Sequence, residues 1–392
     1  MGIRYRAGLP RRHKGTKTCG ELRRKHFLLS IALIFFATSC TRATNPERPP
    51  ITDAPLATDL SQLPNAGQLI HDTPNGKLWT MPLRPQAEST LLFPQTPGTF
   101  AFQPVWSATT KQIAYGFIRP NTATGVVSSA RIWSANLDGT SAAERAQGES
   151  PDFAGTYRDP AWAHDGRSIW ATVQLPEPDE RSVIRFRAEI RRIDLATGNE
   201  TTVIAVGRGP ALSPDGQQIA YLAADTQPAD TQPADTQTER NAIWLAALDG
   251  SDPQILVAGD QFEEIYVPMR FSPDGKTIAF AAADAANQLQ RTPPAPNAWR
   301  APLDMVASWF APTAIHAHGL YPADVWLVDV ETGKLDRLTN LSEDHPTPVW
   351  SPDGQHIAFA GVLGVYVIDI AQRSALRITD QGMDGQIEWV KD

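Results

Sequence analysis

Three histidines and a scattered set of acidic and aromatic residues could do chemistry in this chain. His316-Ala317-His318 sets two imidazoles close enough to bind one divalent ion, and His345 is a further donor. Tyr157, Asp159, Glu263, Glu264, Tyr266, Glu343, Asp344 and Asp384 fall where loops would converge, and Trp299 and Trp309 lie in the longest insertion. Acidic and aromatic groups together could make a rim that attracts a cationic segment or a divalent ion. Motifs for covalent or phosphate chemistry are missing: the sequence has no G-x-S-x-G elbow, H-E-x-x-H pair, phosphate-cradling loop or dinucleotide fingerprint. The pattern therefore favours binding over catalysis. No cofactor is expected, and a divalent metal is the one the histidines leave open.

These residues are positioned by a repeat. In Pro348 to Ala360, PVWSPDGQHIAFA, two short apolar runs flank Ser351-Pro352-Asp353-Gly354. Proline presets φ, Asp bonds its own backbone and Gly takes a positive φ, so the unit reads as a β-hairpin. Ile357 and Phe359 alternate with alanines, which makes both strand faces apolar and calls for sheets stacked on either side. The same register recurs around Trp106, Trp162, Leu212 and Phe271, and each copy is followed by a third strand such as Ile132-Trp133 or Val325-Trp326. A fourth strand is clearest at Leu376 to Thr379. Four short antiparallel strands per repeat make one propeller blade. Nine of the 11 Trp fall in these slots, which makes them packing residues and not a sugar platform. Asp215, Asp274 and Asp353 are read as turn residues for the same reason.

Gly67 to His71, Lys77 to Met81 and Ser89 to Phe93 supply strands two, three and four of a blade lacking its first strand. Gly385 to Val390, with Trp389 in the slot of Trp350, supplies that strand from the other end of the chain. Five internal blades and this composite one make six. The excess length falls between second and third strands, at 118–130, 175–187, 223–241 and 284–322, so one face of the ring should be decorated. The 223–241 insertion is a low-complexity repeat of Ala-Asp-Thr-Gln-Pro. The 284–322 insertion carries its own apolar residues and reads as a lid or docking element.

Ahead of the repeats, nine Lys or Arg and one Glu precede an 11-residue apolar run, Phe27 to Ala37, ending in Ala37-Thr38-Ser39-Cys40. The run has the length of a signal-peptide core. Small residues before a cysteine resemble the lipobox of bacterial lipoproteins, which implies a signal peptide over 1–39 and acylation of Cys40. Cys19 lies within the leader, so the mature chain has a single thiol and cannot form an internal disulfide. Residues 40–66 are Pro-rich and read as an extended tether. Without the leader the net charge moves from −8 to about −16, which disfavours nucleic acid as a partner.

The P-x-W-S-P-D-G hairpins, the Ile-Trp third strands and the blade count resemble the TolB-like, or WD-like, six-bladed β-propeller repeat family over 67–392. The resemblance implies an all-β ring of four-stranded antiparallel blades closed by the C-terminal strand. The expected function is that of an extracytoplasmic, lipid-anchored, monomeric propeller that binds a peptide or protein at the cell envelope. The alternative is a propeller-type lyase or hydrolase acting on a polymer fragment, with a metal held by His316, His318 or His345.

Overall fold

The computed structural model describes residues 48–59, 67–119, 129–146, 155–178, 184–225, 240–284, 322–383 and 385–391. Its six sheets are each antiparallel and four-stranded, and all but one follow chain order. Blade A joins β24 (Ile387–Val390) to β1 (Gln68–Asp72), β2 (Leu78–Pro82) and β3 (Thr90–Leu91). Blade B is β4 (Phe100–Ser107) to β7 (Ala143–Glu144), with β5 (Gln112–Ile118) and β6 (Arg131–Ala135) between them. Blade C is β8 (Thr156–Trp162), β9 (Ser168–Pro178), β10 (Ile184–Asp194) and β11 (Glu200–Ile204). Blade D is β12 (Arg208–Leu212), β13 (Gln218–Ala224), β14 (Asn241–Ala247) and β15 (Gln254–Val257). Blade E is β16 (Glu264–Phe271), β17 (Thr277–Ala283), β18 (Asp324–Asp329) and β19 (Leu335–Arg337). Blade F is β20 (Val349–Trp350), β21 (His356–Gly361), β22 (Gly364–Asp369) and β23 (Ser374–Thr379). First strands of successive blades touch in a closed ring, so they surround the axis.

The hairpin turn repeats atom for atom. In three blades Ser213, Ser272 and Ser351 donate from Oγ to Oδ1 of Asp215, Asp274 and Asp353, all at 2.6 Å. The same serine oxygens accept the backbone N–H five residues on, from Gln218, Thr277 and His356. Each aspartate also accepts from the backbone two residues on, and the serine hydroxyl, with this N–H second to it, holds the carboxyl below the usual range. The turn fixes the register: Trp106, Trp162, Leu212, Phe271 and Trp350 lie opposite Ile113, Ile169, Ile219, Ile278 and Ile357.

Closure follows the expected exchange. Trp389 lies opposite Leu69 in β1, the pairing that the other five blades make within one hairpin. Asp72, at the end of β1, is buried and accepts the backbone N–H of Gln386 at 2.6 Å and of Gln103 in the next blade at 2.9 Å. One carboxylate therefore ties together the C-terminal strand, the first blade and the second. The blades bury both sheet faces, as the doubly apolar strands require: Leu69, Met81 and Trp389 pack toward blade F, while Ile70 and Leu78 pack toward Ile113 and Tyr115 of blade B.

Two expectations are corrected. The excess at 175–187 is not a loop. β9 and β10 run on as a paired two-stranded arm, in register from Ile169↔Ile193 out to Pro178↔Ile184. Pro176 and Pro178 do not interrupt it, because proline is tolerated on a strand edge that has no neighbour. The Pro-rich stretch before the ring is extended, as its prolines demand, but 48–59 is no free spacer. Ile51 and Leu56 make parallel bridges to Thr339 and Arg377 beside the outer strands of blades E and F, and Ile51 and Ala57 are buried there. The backbone of Ile51 both donates to Leu338 and accepts from Asn340. The stretch thereby covers strand edges that would otherwise be open.

Candidate functional site

Connections from each fourth strand to the next first strand open on the same face of the ring as those between second and third strands. On that face a loop of this kind joins β19 to β20. Asp324, first residue of β18 and 1% exposed, organises it. Its Oδ1 accepts from Thr339 Oγ1 at 3.0 Å and from the backbone of Leu341 and Ser342 at 2.7 and 3.1 Å, while Oδ2 receives Arg337 Nη2 at 2.8 Å. Four donors on one buried carboxylate fix the loop that carries Glu343, Asp344 and His345.

Those three residues have different fates. Glu343 turns inward and is 2% exposed; its Oε1 accepts the Tyr366 hydroxyl, and burial together with this carboxylate drives the phenol well above its ordinary range. A Cβ at position 361 would stand 2.5 Å from Glu343 Oε2, so a larger residue at that strand end would push the Glu343 carboxylate aside. Asp344 and His345 remain partly exposed. The His345 ring meets Tyr266 edge to face, 4.6 Å between centroids and at 69°. Tyr266 lies in β16 above a small cluster of Ala281, Ala283 and Ala323. Glu264 begins the same strand, and Glu263 sits just before it with its Oε2 3.7 Å from Arg240 Nη2. The structure thus gathers Glu263, Glu264, Tyr266, Asp344 and His345 about blades E and F.

Tyr157 and Asp159 lie elsewhere, in β8 and not in a loop. Tyr157 has no exposed surface, and its hydroxyl donates to Glu200 Oε2 at 2.5 Å. Arg191 reaches the same oxygen at 3.3 Å and Glu189 at 2.5 Å, and this network borders a cleft of about 600 Å³ that Arg145, Asp194, Asn199 and Thr202 also line. Asp159 takes a positive φ of 48°, donates its backbone N–H to Gln103 Oε1 and accepts Gln103 Nε2 on Oδ1, both at 2.8 Å. Cys40, Trp299, Trp309, His316, His318 and Asp384 lie outside the described residues. Among the described residues no group of three or more His, Cys, Asp or Glu could hold a metal, and no helix is long and apolar enough to cross a membrane.

Sequence reasoning missed Asp324 and the charged first-strand residues Arg158, Arg270 and Glu388. A signal existed for the last two. Arg270 and Glu388 occupy the slot held by Val105, Ala161, Ala211 and Val349 in the other blades, one residue before the aligned Trp or its equivalent. Arg270 Nη2 lies 3.6 Å from Glu388 Oε2, an ion pair linking first strands of two blades that are not neighbours.

The comparisons with known proteins agree on the propeller. The family described as dipeptidyl peptidase IV (DPP IV) N-terminal region matches residues 315–392. No curated protein matches the sequence. Among solved structures, TolB from Acinetobacter baumannii is similar with a TM-score of 0.52 and 15% identity, covering 84% of this chain and 68% of that one. A chain of the nidogen/laminin complex is similar with a TM-score of 0.53 and 13% identity, covering 82% of this chain and 97% of that one. Likeness at these identities establishes the six-bladed propeller fold.

Proposed function

We propose that this chain is a TolB-like propeller lipoprotein, exported and acylated at Cys40, that captures a peptide or protein partner at the cell envelope through the loop face of blades E and F. The observation that carries the reading is the loop held by Asp324. A buried carboxylate with four donors fixes a surface on which His345 and Tyr266 pack together while Asp344 and His345 stay partly open. A rigid aromatic and acidic patch suits recognition of a partner, because little ordering entropy remains to be lost on binding. The nidogen/laminin complex supplies a precedent for a propeller relative in a protein–protein assembly. Residues 1–39 would be the signal peptide and 67–392 the propeller.

A photo-crosslinker placed at Asp344 in the full chain, with one at Lys276 on the opposite face as control, tests the capture surface. A partner recovered from Asp344 alone, and lost in Tyr266→Ala/His345→Ala, is the expected outcome. Equal crosslinking from both faces refutes it. Cys40→Ala should release the protein from the membrane fraction. Elemental analysis of the purified chain tests the metal-dependent lyase or hydrolase reading: stoichiometric metal that disappears in His316→Ala/His318→Ala would replace binding with catalysis.

A further inference from the structure

Three charged first-strand residues each bury a side-chain atom that no hydrogen bond reaches: Arg158 Nε in β8, Arg270 Nη2 in β16 and Glu388 Oε2 in β24. Two of them answer each other, since Arg270 and Glu388 form the 3.6 Å ion pair. Arg158 has no such counterpart. Its side chain makes no hydrogen bond and no ion pair with any described residue. The nearest carboxylate in sequence, Asp159, is turned to Gln103 instead.

The place of Arg158 in the fold is well defined. It leaves β8 on the side opposite Tyr157 and pairs with Thr172 in β9, whose Oγ1 accepts the backbone N–H of Gly209 in blade D at 2.8 Å. The guanidinium therefore stands at the axial end of the seam between blades C and D, near the loop-face end of β8. The residue keeps part of its surface open although Nε is sealed. Burial weakens its hold on the proton, and Asp159 offsets this only at a distance. A guanidinium carries five donors in a rigid fork, and sealing Nε from water with no acceptor in reach destabilises the fold.

We infer that Arg158 anchors a carboxylate entering the ring from the loop face. The fork of a guanidinium matches a planar carboxylate in two parallel hydrogen bonds. A singly charged group is favoured over a phosphate because Asp159 is adjacent and the mature chain is strongly acidic, so each further negative charge is repelled. The inference rests on the loop face being the binding face and gives its partner a chemistry: a segment presenting a carboxylate, either a chain end or an Asp or Glu side chain.

The test is thermal unfolding of the full chain at pH 7 and fixed ionic strength, with acetate replacing chloride stepwise. Wild type should gain a saturable rise in Tm. Arg158→Gln, at or above wild type in chloride because it no longer carries an unanswered charge, should gain only the unsaturable part common to all proteins. Equal saturable responses in both overturn the inference. Should Arg158→Gln fail to fold, the Arg side-chain Nε–H resonances of wild type decide. One signal, absent from Arg158→Lys, must move with acetate, and no movement overturns the assignment. N-acetyl-trialanine with a free carboxylate exceeding acetate at equal concentration would assign the group to a chain end; parity would assign it to a side chain. Acetate needs no contact with Tyr266 or His345, so a retained acetate response without partner capture would sink the capture surface and leave this site standing.

Discussion

Glu388→Gln should steepen the loss of stability as pH falls. Two buried groups at the closing seam titrate in opposite senses. His71, 3% exposed, satisfies both ring nitrogens as a neutral imidazole, through the Asp72 carbonyl at 3.1 Å and Ser89 Oγ at 2.8 Å. Burial lowers its pKa from 6.5 to about 4. The unfolded chain therefore binds the proton first, and stability present above pH 6.5 is lost as pH falls toward 4. Glu388 is displaced the other way, from 4.5 to about 7, by burial that Arg270 and the backbone of Trp106 offset only in part. Its contribution is complete below pH 4.5 and is lost as pH rises through 7. At ~1.4 kcal/mol per pH unit, each displacement amounts to about 3 kcal/mol. In wild type the two cancel between pH 4 and 7. Glutamine cannot ionise, so the variant keeps only the His71 loss and should fall by about 3 kcal/mol relative to wild type from pH 7 to 4. Urea unfolding followed by Trp fluorescence at half-unit pH steps measures this, and turn aspartates shared by both proteins drop out of the difference. A wild-type-minus-variant curve that stays flat across this window refutes the reasoning. So would a Glu388→Gln/His71→Gln protein that slopes as steeply as Glu388→Gln, since replacing His71 should remove its share of the loss.

Three further outcomes are expected. Asp72→Ala strands two backbone donors at the seam and should cost about 3 kcal/mol, with amide exchange in β24 accelerating before that of the other blades. Asp324→Ala removes the acceptor of the 339–342 loop and should expose it to limited proteolysis near Ser342; unchanged protection would show that the loop is held otherwise. Asp274→Ala should cost only about 1 kcal/mol, because its turn is partly exposed and its hydrogen bonds are locally replaceable by water, and a calorimetric Tm shift reads it directly.

The ring was legible because its instructions are local. Ser-Pro-Asp-Gly specifies each hairpin within a few residues, and Trp389 in the slot of Trp350 revealed the closing strand. Features resting on distant partners were not legible. Asp324 looks like an ordinary acidic residue until its partners, up to 18 residues on, fold back onto it. Glu343, read as part of an acidic rim, spends its carboxylate on Tyr366, 23 residues away. Tyr157 looked like a mouth aromatic because it precedes a polar pair, yet strand alternation turns it to the Glu200 and Arg191 network. The 175–187 arm was hidden because its prolines mimic a loop signal and its register extends beyond the rest of the blade.

One device connects ring assembly to the candidate carboxylate site. In blades B, C and D the first strand carries a left-handed residue just before a proline: Gln103-Pro104, Asp159-Pro160 and Gly209-Pro210. Each breaks the ladder with a bulge, which frees its own N–H from strand pairing. The preceding blade captures that N–H every time, through Asp72, Gln103 and Thr172 respectively. The capturing groups differ in chemistry, so the motif does not advertise itself in sequence, but the geometry is the same. A left-handed residue before proline is costly unless its surroundings hold it in place, and here inter-blade hydrogen bonds do so. Arg158 immediately precedes one of these bulges and pairs with the threonine that captures the next. Its backbone is therefore fixed from two sides by contacts that also join the blades. A binding group placed there is pre-organised by the assembly of the ring itself, whereas Asp344 and His345 ride on a loop that the Asp324 carboxylate clamps. If both sites serve one partner, loosening the Asp324 clamp should weaken capture without altering the acetate response at Arg158, and that separation follows from which hydrogen bonds hold each site.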